Sequence, residues 1–398
     1  MLIESYKRFR KGVVVMSKLN VVTGGRGYVG YALVKELADR GEKMRLLLRS
    51  DSSVFDEIEC EKTFGDITNV DDLVKAFEGA DVVYHVAGLV DTGTGYNEKL
   101  WNVNFGGTKN VVEACKKCGV KTLIYVSSVD AIAVDEDAEY ITEADSFDPD
   151  LLEGEYGKTK AAATQYVLDN ASDDLRVCVV HPSCCIGPYD NNETSMMMTM
   201  MKLYYKGFFS MTFDFGGYNF VDVRDVAKGM VAAAEKGRNG ECYILSGYTH
   251  TLNEFMSTLA YVCGKKPPKI TVKKELLSSN MTAIEAFFKA TKMPPVLNDY
   301  TLRKICENCR FSCEKARYEL GYQPRELEDA IKGSIEWLLE RENSKGLEKA
   351  EKELEAAKKE LKRTRKEYEK AQEEYEKAKL EYEEKKEKHE KKQKNKNK

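Results

Sequence analysis

A tyrosine four residues before a lysine is a pair able to move a proton. Tyr156-Gly-Lys-Thr-Lys160 has that spacing, and on a helix both side chains share a face. An ammonium beside a phenol favours the phenolate, so the expectation is a lowered phenol pKa and an acid/base usable near neutral pH. The spelling alone says little, because it recurs at Tyr31/Lys35, Tyr261/Lys265, Tyr300/Lys304, Tyr375/Lys379 and Tyr382/Lys386. Position singles out Tyr156. It begins a helical segment soon after a β-branched run that ends in Ser127-Ser128. A hydroxyl at the carboxyl end of a central strand lies in the crevice where open α/β sheets bind ligands.

The second group able to do chemistry is TGGRGYVG at residues 23–30. Gly25, Gly27 and Gly30 satisfy G-x-G-x-x-G between a strand-like run and an amphipathic helix, which is the context a dinucleotide site requires. Glycines let the backbone approach a pyrophosphate, and the helix N-terminus faces that anion. About twenty residues on, where an NAD site places Asp or Glu against the ribose 2′-hydroxyl, this chain has Leu48-Arg49-Ser50. A guanidinium pairs with a 2′-phosphate that a carboxylate would repel. Arg49 therefore favours NADP(H), with NAD(H) as the other option, and Arg26 inside the glycine loop adds a second charge. Asp66 of Gly65-Asp66-Ile67, after the third strand, is placed to accept from the adenine amino group.

These residues need a scaffold, and the chain alternates accordingly. LNVVT, MRLLLR, VVYHVA, TLIYVSS and RVCVVH read as buried parallel strands. ALVKELADRG, DDLVKAFEG, GTKNVVEACKKCG and KTKAAATQYVLDN between them read as helices. No proline precedes Pro149, which suits long uninterrupted elements. The expectation is an α/β fold, a doubly wound parallel sheet. Residues 1–16 form an N-terminal extension, with Met16 an alternative start. Residues 17–190 form the dinucleotide-binding domain with the catalytic residues, and 191–340 a smaller mixed region that mainly binds substrate.

Residues 347–398 differ from everything before them. They hold 19 Lys and Arg against 15 Glu, with no Gly or Pro. Leu347, Leu354, Leu361, Tyr368, Tyr375 and Tyr382 recur every seven residues, with Ala350, Ala357, Thr364, Ala371 and Ala378 at the d positions. A long charged helix is expected, either solitary and held by i,i+4 pairs or in a coiled coil with a partner the sequence does not name. The final KKQKNKNK is expected to be disordered.

The 398 residues carry a formal net charge of −4, which gives no overall basic field for nucleic acid or an anionic membrane. No apolar run approaches the ~18 residues of a membrane span. Eleven cysteines at irregular spacing suggest a reducing, cytoplasmic setting rather than a disulfide framework. Cys306, Cys309 and Cys313 lack a nearby fourth ligand for zinc, so no metal is expected.

Together the motifs resemble the extended short-chain dehydrogenase/reductases, the NAD-dependent epimerase/dehydratase superfamily, over roughly residues 17–340. The matching pieces are TGGRGYVG, GDI at 65–67, HVAG at 85–88, NFGGTKN at 104–110, YVSS at 125–128, YGKTK at 156–160, HPSCCIGP at 181–188, FVDVRDVA at 220–227 and ELGYQP at 319–324. The resemblance implies a Rossmann-type sheet. It implies that Tyr156 exchanges the proton, Lys160 holds the nicotinamide ribose and tunes Tyr156, and Ser128, rather than Ser127, polarises the substrate oxygen. It implies that Gly24, Gly27, Tyr28, Val29 and Gly30 line the cofactor with Ile67 and Ala87, that Pro182 and Ser183 flank the nicotinamide, and that Asn104 supports the site. His181 stands where many relatives have arginine.

HPSCCIGP, Arg49 and the segment MPPVLNDYTL at 293–302 are most similar to the dihydroflavonol-reductase and 3β-hydroxysteroid-dehydrogenase-like branch. The Met-, Phe- and Tyr-rich stretch from Ser195 to Gly217 suits an adaptable apolar pocket. The leading expectation is therefore interconversion of carbonyl and alcohol on an apolar small molecule. A sugar-nucleotide epimerase or dehydratase is the alternative, and a non-catalytic cofactor-binding regulator the second. A homodimer is compatible with either enzyme.

Overall fold

The computed structural model describes residues 18–396 except 92, 94, 193–194, 283–285 and 287–298. The extension 1–16 and residues 293–298 of the late proline-containing segment lie outside the described residues. Seven parallel strands form the main sheet: β1 Asn20–Thr23, β2 Met44–Leu48, β3 Glu61–Phe64, β4 Val82–His85, β5 Thr122–Val126, β6 Arg176–Pro182 and β10 Glu241–Leu245. Their spatial order is β3-β2-β1-β4-β5-β6-β10. The order reverses between β1 and β4, where Thr23 lies beside His85. Ligands bind at such a switch point, outside the carboxyl ends of the strands.

The inner strands β1, β4 and β5 are buried at every position, as expected of a parallel sheet covered on both faces. One face is covered by α1 (Tyr28–Asp39) and α7 (Val223–Lys236), which pack against each other. Helix α1 turns Ala32, Leu33, Val34 and Leu37 inward, each of the larger ones worth about 1.5–3 kcal/mol of burial. The other face carries α2 (Val70–Phe77), α4 (Gly107–Cys118) and α5 (Glu155–Leu168). A short helix, α3 (Glu98–Trp101), runs into α4 through one π-helical turn, Asn102–Gly106. The sheet does not stop at residue 190, where the sequence suggests a boundary. Strand β10 pairs with β6 and α7 covers it, and the residues up to Trp337 form one compact unit.

The substrate-side elements are smaller. Strands β7 (Cys184–Ile186), β9 (Gly217–Asp222) and β11 (Tyr248–Thr251) form a three-stranded sheet, and β8 (Met211–Phe213) pairs with β12 (Ile270–Val272). Around them lie α6 (Met196–Tyr205), α8 (Leu252–Val262), α9 (Lys274–Ser279), α10 (Asp299–Lys304) and α11 (Glu314–Leu320). Buried Asp222 caps α7 and binds Arg224 at 2.6 Å. Cys313 stands at the start of α11, and the Ser312 hydroxyl before it accepts from the Glu314 N–H at 3.3 Å. Among the described residues no cluster of three His, Cys, Asp or Glu could hold a metal ion, and no helix is long and apolar enough to cross a membrane.

Helix α12 spans Leu327–Lys396. It continues through residues 391–396, so the helix reaches further than the sequence suggests. From Leu338 onward the chain is a separate unit. There Lys358–Glu355 (3.0 Å) and Lys370–Glu374 (3.9 Å) lie along the helix, while Leu354 and Tyr382 of the heptad seam are 56% and 67% exposed. Charge pairs of this kind contribute about 0.2–0.5 kcal/mol each at low salt and weaken as salt rises. We expect the isolated 347–398 peptide to be helical at low salt and to associate weakly at best. Circular dichroism against salt, with sedimentation over a concentration series, checks this; a tight, salt-resistant oligomer would make the segment an assembly device. A chain cut after Gly346 should keep its cofactor affinity and turnover.

Candidate active site

The glycine loop joins β1 to α1 at the switch point. Gly24 adopts φ 76°, and a Cβ there would stand 2.5 Å from the Ala87 backbone nitrogen. A Cβ at Gly30 would collide with the Gly24 carbonyl oxygen. Both positions therefore require glycine. The Gly27 N–H closes the turn on the Gly24 carbonyl at 2.9 Å, and Gly27 begins α1 without a side-chain cap. The first amides of α1, at Tyr28, Val29 and Gly30, are left for an anion. The Tyr28 hydroxyl donates to the Gly187 carbonyl at 2.8 Å and ties the helix start to the segment after β7. This cradle fits a dinucleotide pyrophosphate.

Exposed Arg26 and Arg49 flank Ser50, to whose hydroxyl Arg26 donates at 3.1 Å. Asp66 follows β3 close enough to feel the Arg49 charge. Bonds from the Thr68 N–H and hydroxyl, with a smaller contribution from Arg49, hold its carboxyl below the ordinary value. Ile67 packs against Gly107 at the head of α4, where a Cβ would meet it at 2.7 Å. Pro182 ends β6 beside Leu245, and the buried Ser183 hydroxyl donates to Asn219 at 2.8 Å.

Ser128, Tyr156 and Lys160 converge beyond the end of β5. Ser128 starts a short turn: its hydroxyl accepts from the Asp130 N–H and donates to the Asp130 carboxylate, each at 3.2 Å. The Tyr156 phenol lies near the same hydroxyl, whose influence lowers the phenol pKa and opposes part of the rise that burial causes. Ser127 faces the other way and bonds Thr164 at 2.7 Å. Lys160, 4% exposed, donates to the Val126 carbonyl at 2.8 Å, with its ammonium 5.1 Å from the centre of the Tyr125 ring. Burial pushes its pKa down to about 7.

The expected lowering of the Tyr156 pKa is not found. Burial first, then the Asp130 charge, raises it above the ordinary phenol value. The i,i+4 spacing places Lys160 on the right face but does not aim its ammonium at the phenol.

The surrounding polar groups brace this arrangement. Asn104, in the π-helical turn, accepts from the Leu89 N–H at 2.7 Å and donates to Thr159 at 3.0 Å. Thr108 donates to the Asn104 carbonyl, so it must accept from His85 Nε2 (3.0 Å); His85 Nδ1 then accepts from Thr23 (2.8 Å). Burial lowers the His85 pKa to about 3, so the ring is neutral. His181 Nδ1 donates to the Ser128 carbonyl at 2.9 Å, and its ring stacks on Phe147 at 5.2 Å. Burial lowers its pKa to about 4. Both histidines are structural supports.

A cavity of about 270 Å³ opens on Ser128, walled by Ile132, Val134, Met196, Met197, Tyr218 and Phe311. Asp130 also lines it, as do Lys304 and Glu307, which pair at 2.7 Å. Sequence reasoning missed Asp130, whose only signal is its place two residues after Ser128. It also missed Tyr300, whose phenol lies over Gly154, two residues before Tyr156: a Cβ there would be 2.6 Å away.

A parallel sheet with this strand order, a glycine cradle at its switch point and a Ser–Tyr–Lys group beyond β5 defines an extended short-chain dehydrogenase/reductase, an NAD(P)-dependent oxidoreductase. More narrowly, residues 21–261 match the model of the 3-beta hydroxysteroid dehydrogenase/isomerase family, and the chain belongs to that family. It is 27% identical over 328 residues to sterol demethylase protein B of Methylococcus capsulatus, covering 81% of this chain and 98% of that protein. To the 3-beta-hydroxysteroid dehydrogenase of Mycolicibacterium neoaurum it is 28% identical over 327 residues, covering 76% and 86%. The crystal structure of gox2253 superposes with a TM-score of 0.70 at 31% identity, covering 81% of this chain and 98% of that one.

Proposed function

We propose that the chain interconverts a carbonyl and an alcohol on an apolar ring system of sterol or flavonoid type, using NADP(H). The observation that carries this reading is the cavity. Aliphatic, thioether and aromatic side chains line it beside the neutral polar groups of Ser183, Ser195, Asn219 and Asn308, and it reaches the Ser128 hydroxyl. Lys304, the cavity's one cation among its described lining residues, is already paired with Glu307, and the Asp130 carboxyl also lines it. With no unpaired cation among those residues, the lining offers little to a nucleotide diphosphate and favours a neutral substrate.

Gly24 to Gly30 would hold the pyrophosphate, Ile67 and Ala87 the adenosine side and backbone approach, and Pro182 and Ser183 the nicotinamide end. When bound, the nicotinamide supplies or accepts a hydride. Ser128 and Tyr156 hold the substrate oxygen, and Tyr156 gives or takes its proton. Lys160 binds the nicotinamide ribose. Turnover of NADPH over a panel of ketones, aldehydes, oxosteroids and flavanones, against UDP-glucose epimerisation, tests the reading. Epimerisation without carbonyl reduction would overturn it.

The 2′-phosphate reading rests on Arg49, with Arg26 beside it. Arg49→Ala should weaken NADP(H) binding about ten- to a hundred-fold, the loss of one charge-assisted bond, and leave NAD(H) binding unchanged. Arg49→Asp should shift preference toward NAD(H). Calorimetric titration of both cofactors measures this; equal NAD and NADP affinities in the unmodified protein would remove the role.

A further inference from the structure

Between Tyr261 and Leu276 the chain carries five lysines against one glutamate, in a molecule whose net charge is −4. Lys265, Lys266, Lys269, Lys273 and Lys274 are all exposed. The fold gathers them beside the end of α6. The Lys265 ammonium donates to the Tyr205 carbonyl, and the Tyr204 hydroxyl donates to the Lys266 carbonyl at 3.0 Å. Strand β12 pairs Ile270 with Met211 of β8, three residues after Phe208. Lys206, the exposed C-cap of α6, adds another positive charge. Lys266, Lys269, Lys273 and Lys274 pair with no carboxylate among the described residues. The exposed carboxylates of Asp214 and Glu275 on the same segments leave a positive surplus. Those segments also expose four large apolar side chains: Phe208, Tyr261, Ile270 and Leu276 are 59% to 81% accessible. Single exposed apolar residues are ordinary, but several gathered among cations mark an interaction surface. We propose that this face docks on an anionic phospholipid bilayer, with the apolar side chains entering the headgroup–acyl boundary and the lysines meeting the lipid phosphates.

The chemistry of the patch selects this occupant. Lysines beside exposed apolar groups are what an interfacial surface uses, since burial of the apolar groups and attraction to anionic lipid add. Ile270 and Leu276 offer no ring on which a base could stack, and α6, β8, the 261–276 segment and α9 contain no arginine, whose planar fork suits nucleic-acid phosphates better than an ammonium does. The chain's overall negative charge does not oppose docking, because charges farther away than a Debye length, ~8 Å at physiological salt, are screened. Helix α6 links the face to the cavity: Ser195, Met196 and Met197 at its start line the cavity, while Lys206 and Phe208 follow its end. Ten residues of helix separate the two by about 15 Å. An apolar substrate collects in a bilayer, and docking brings the cavity within one short helix of that supply. The link to substrate supply rests on the oxidoreductase reading; the docking itself rests on the surface.

Co-sedimentation of the full chain with phosphatidylcholine–phosphatidylserine vesicles, and with phosphatidylcholine alone, tests the docking. The unmodified protein should bind the mixed vesicles, weaken as salt rises, and bind phosphatidylcholine far less. Replacing Lys269, Lys273 and Lys274 together by Gln should weaken binding about a hundred-fold, at roughly fivefold per lysine, and replacing all three by Arg should preserve it. Phe208→Ser with Ile270→Ser should weaken binding about tenfold or more. Far-UV circular dichroism and the unfolding midpoint report that each variant is folded. No binding, or equal binding to both vesicle types, would overturn the inference. So would a glutamine variant that binds like its parent, since the contact would then lie elsewhere, as on the charged 347–398 helix. Loss in the glutamine variant with none in Phe208→Ser/Ile270→Ser would make the face a general polyanion site and overturn the bilayer. Vesicle binding is read without turnover, so failure of the docking leaves the oxidoreductase reading standing, and an inactive protein that binds vesicles leaves the docking standing.

Discussion

Tyr156→Phe should lose turnover by about 10²–10⁴-fold, the range expected for removing a general acid/base, while binding NADP(H) as the unmodified protein does. Phenylalanine keeps the buried ring and deletes only the hydroxyl. The proposed cofactor cradle, the Gly24–Gly30 turn and α1 N-terminus against the Ala87 backbone, is built from other residues. Steady-state kinetics on an active carbonyl substrate, with cofactor titration by fluorescence, checks both halves. Near-normal turnover would move the proton transfer to another group. A parallel loss of cofactor affinity would mean that Tyr156 serves binding instead.

Much of this site was legible because its parts obey local rules. Gly24 and Gly30 are required by close backbone approaches, and such glycines stand out between a strand and a helix. The buried parallel strands announce themselves as β-branched runs. Strand β3 does not, because an edge strand reading Glu-Lys-Thr-Phe is held partly by Lys43 and Arg45 on Glu61 and buries little. Strand β10 lies some sixty residues after β6 and joins it by long-range pairing that no local pattern reveals. Asp130 looks like any turn aspartate until the Tyr156 helix is folded against it. Tyr300 reaches Gly154 from the far side of the chain. The electrostatics were the least legible: spacing puts Lys160 and Tyr156 on one helix face, but burial, which dominates both groups, is a property of the packed molecule.

That burial makes Lys160 costly to the fold, and Lys160→Met should separate stability from function. The folded pKa of about 7 lies below the ordinary 10.5, so between those values the unfolded chain holds a proton that the folded chain does not. Stability from this group therefore falls as pH drops from 10.5 toward 7, and below 7 the full penalty remains. At roughly 1.4 kcal/mol per pH unit the penalty at pH 7 is at most about 5 kcal/mol. Methionine fills nearly the same space without a charge, and it gives up the bond to the Val126 carbonyl, worth about 1 kcal/mol. The variant should thus be more stable than its parent by a few kcal/mol at pH 7, and the advantage should shrink as pH approaches 10. Its turnover should fall by about a hundred-fold or more if Lys160 binds the nicotinamide ribose as proposed, because that group is gone. Urea unfolding of the cofactor-free proteins at pH 7, 8.5 and 10 measures the first effect, and steady-state kinetics the second. A variant less stable than its parent at every pH, or a difference that does not change with pH, would show that Lys160 is not held against its own solvation. The expected outcome instead marks Lys160 as a residue whose presence is explained by function and not by the fold, as stability given up at an active site requires.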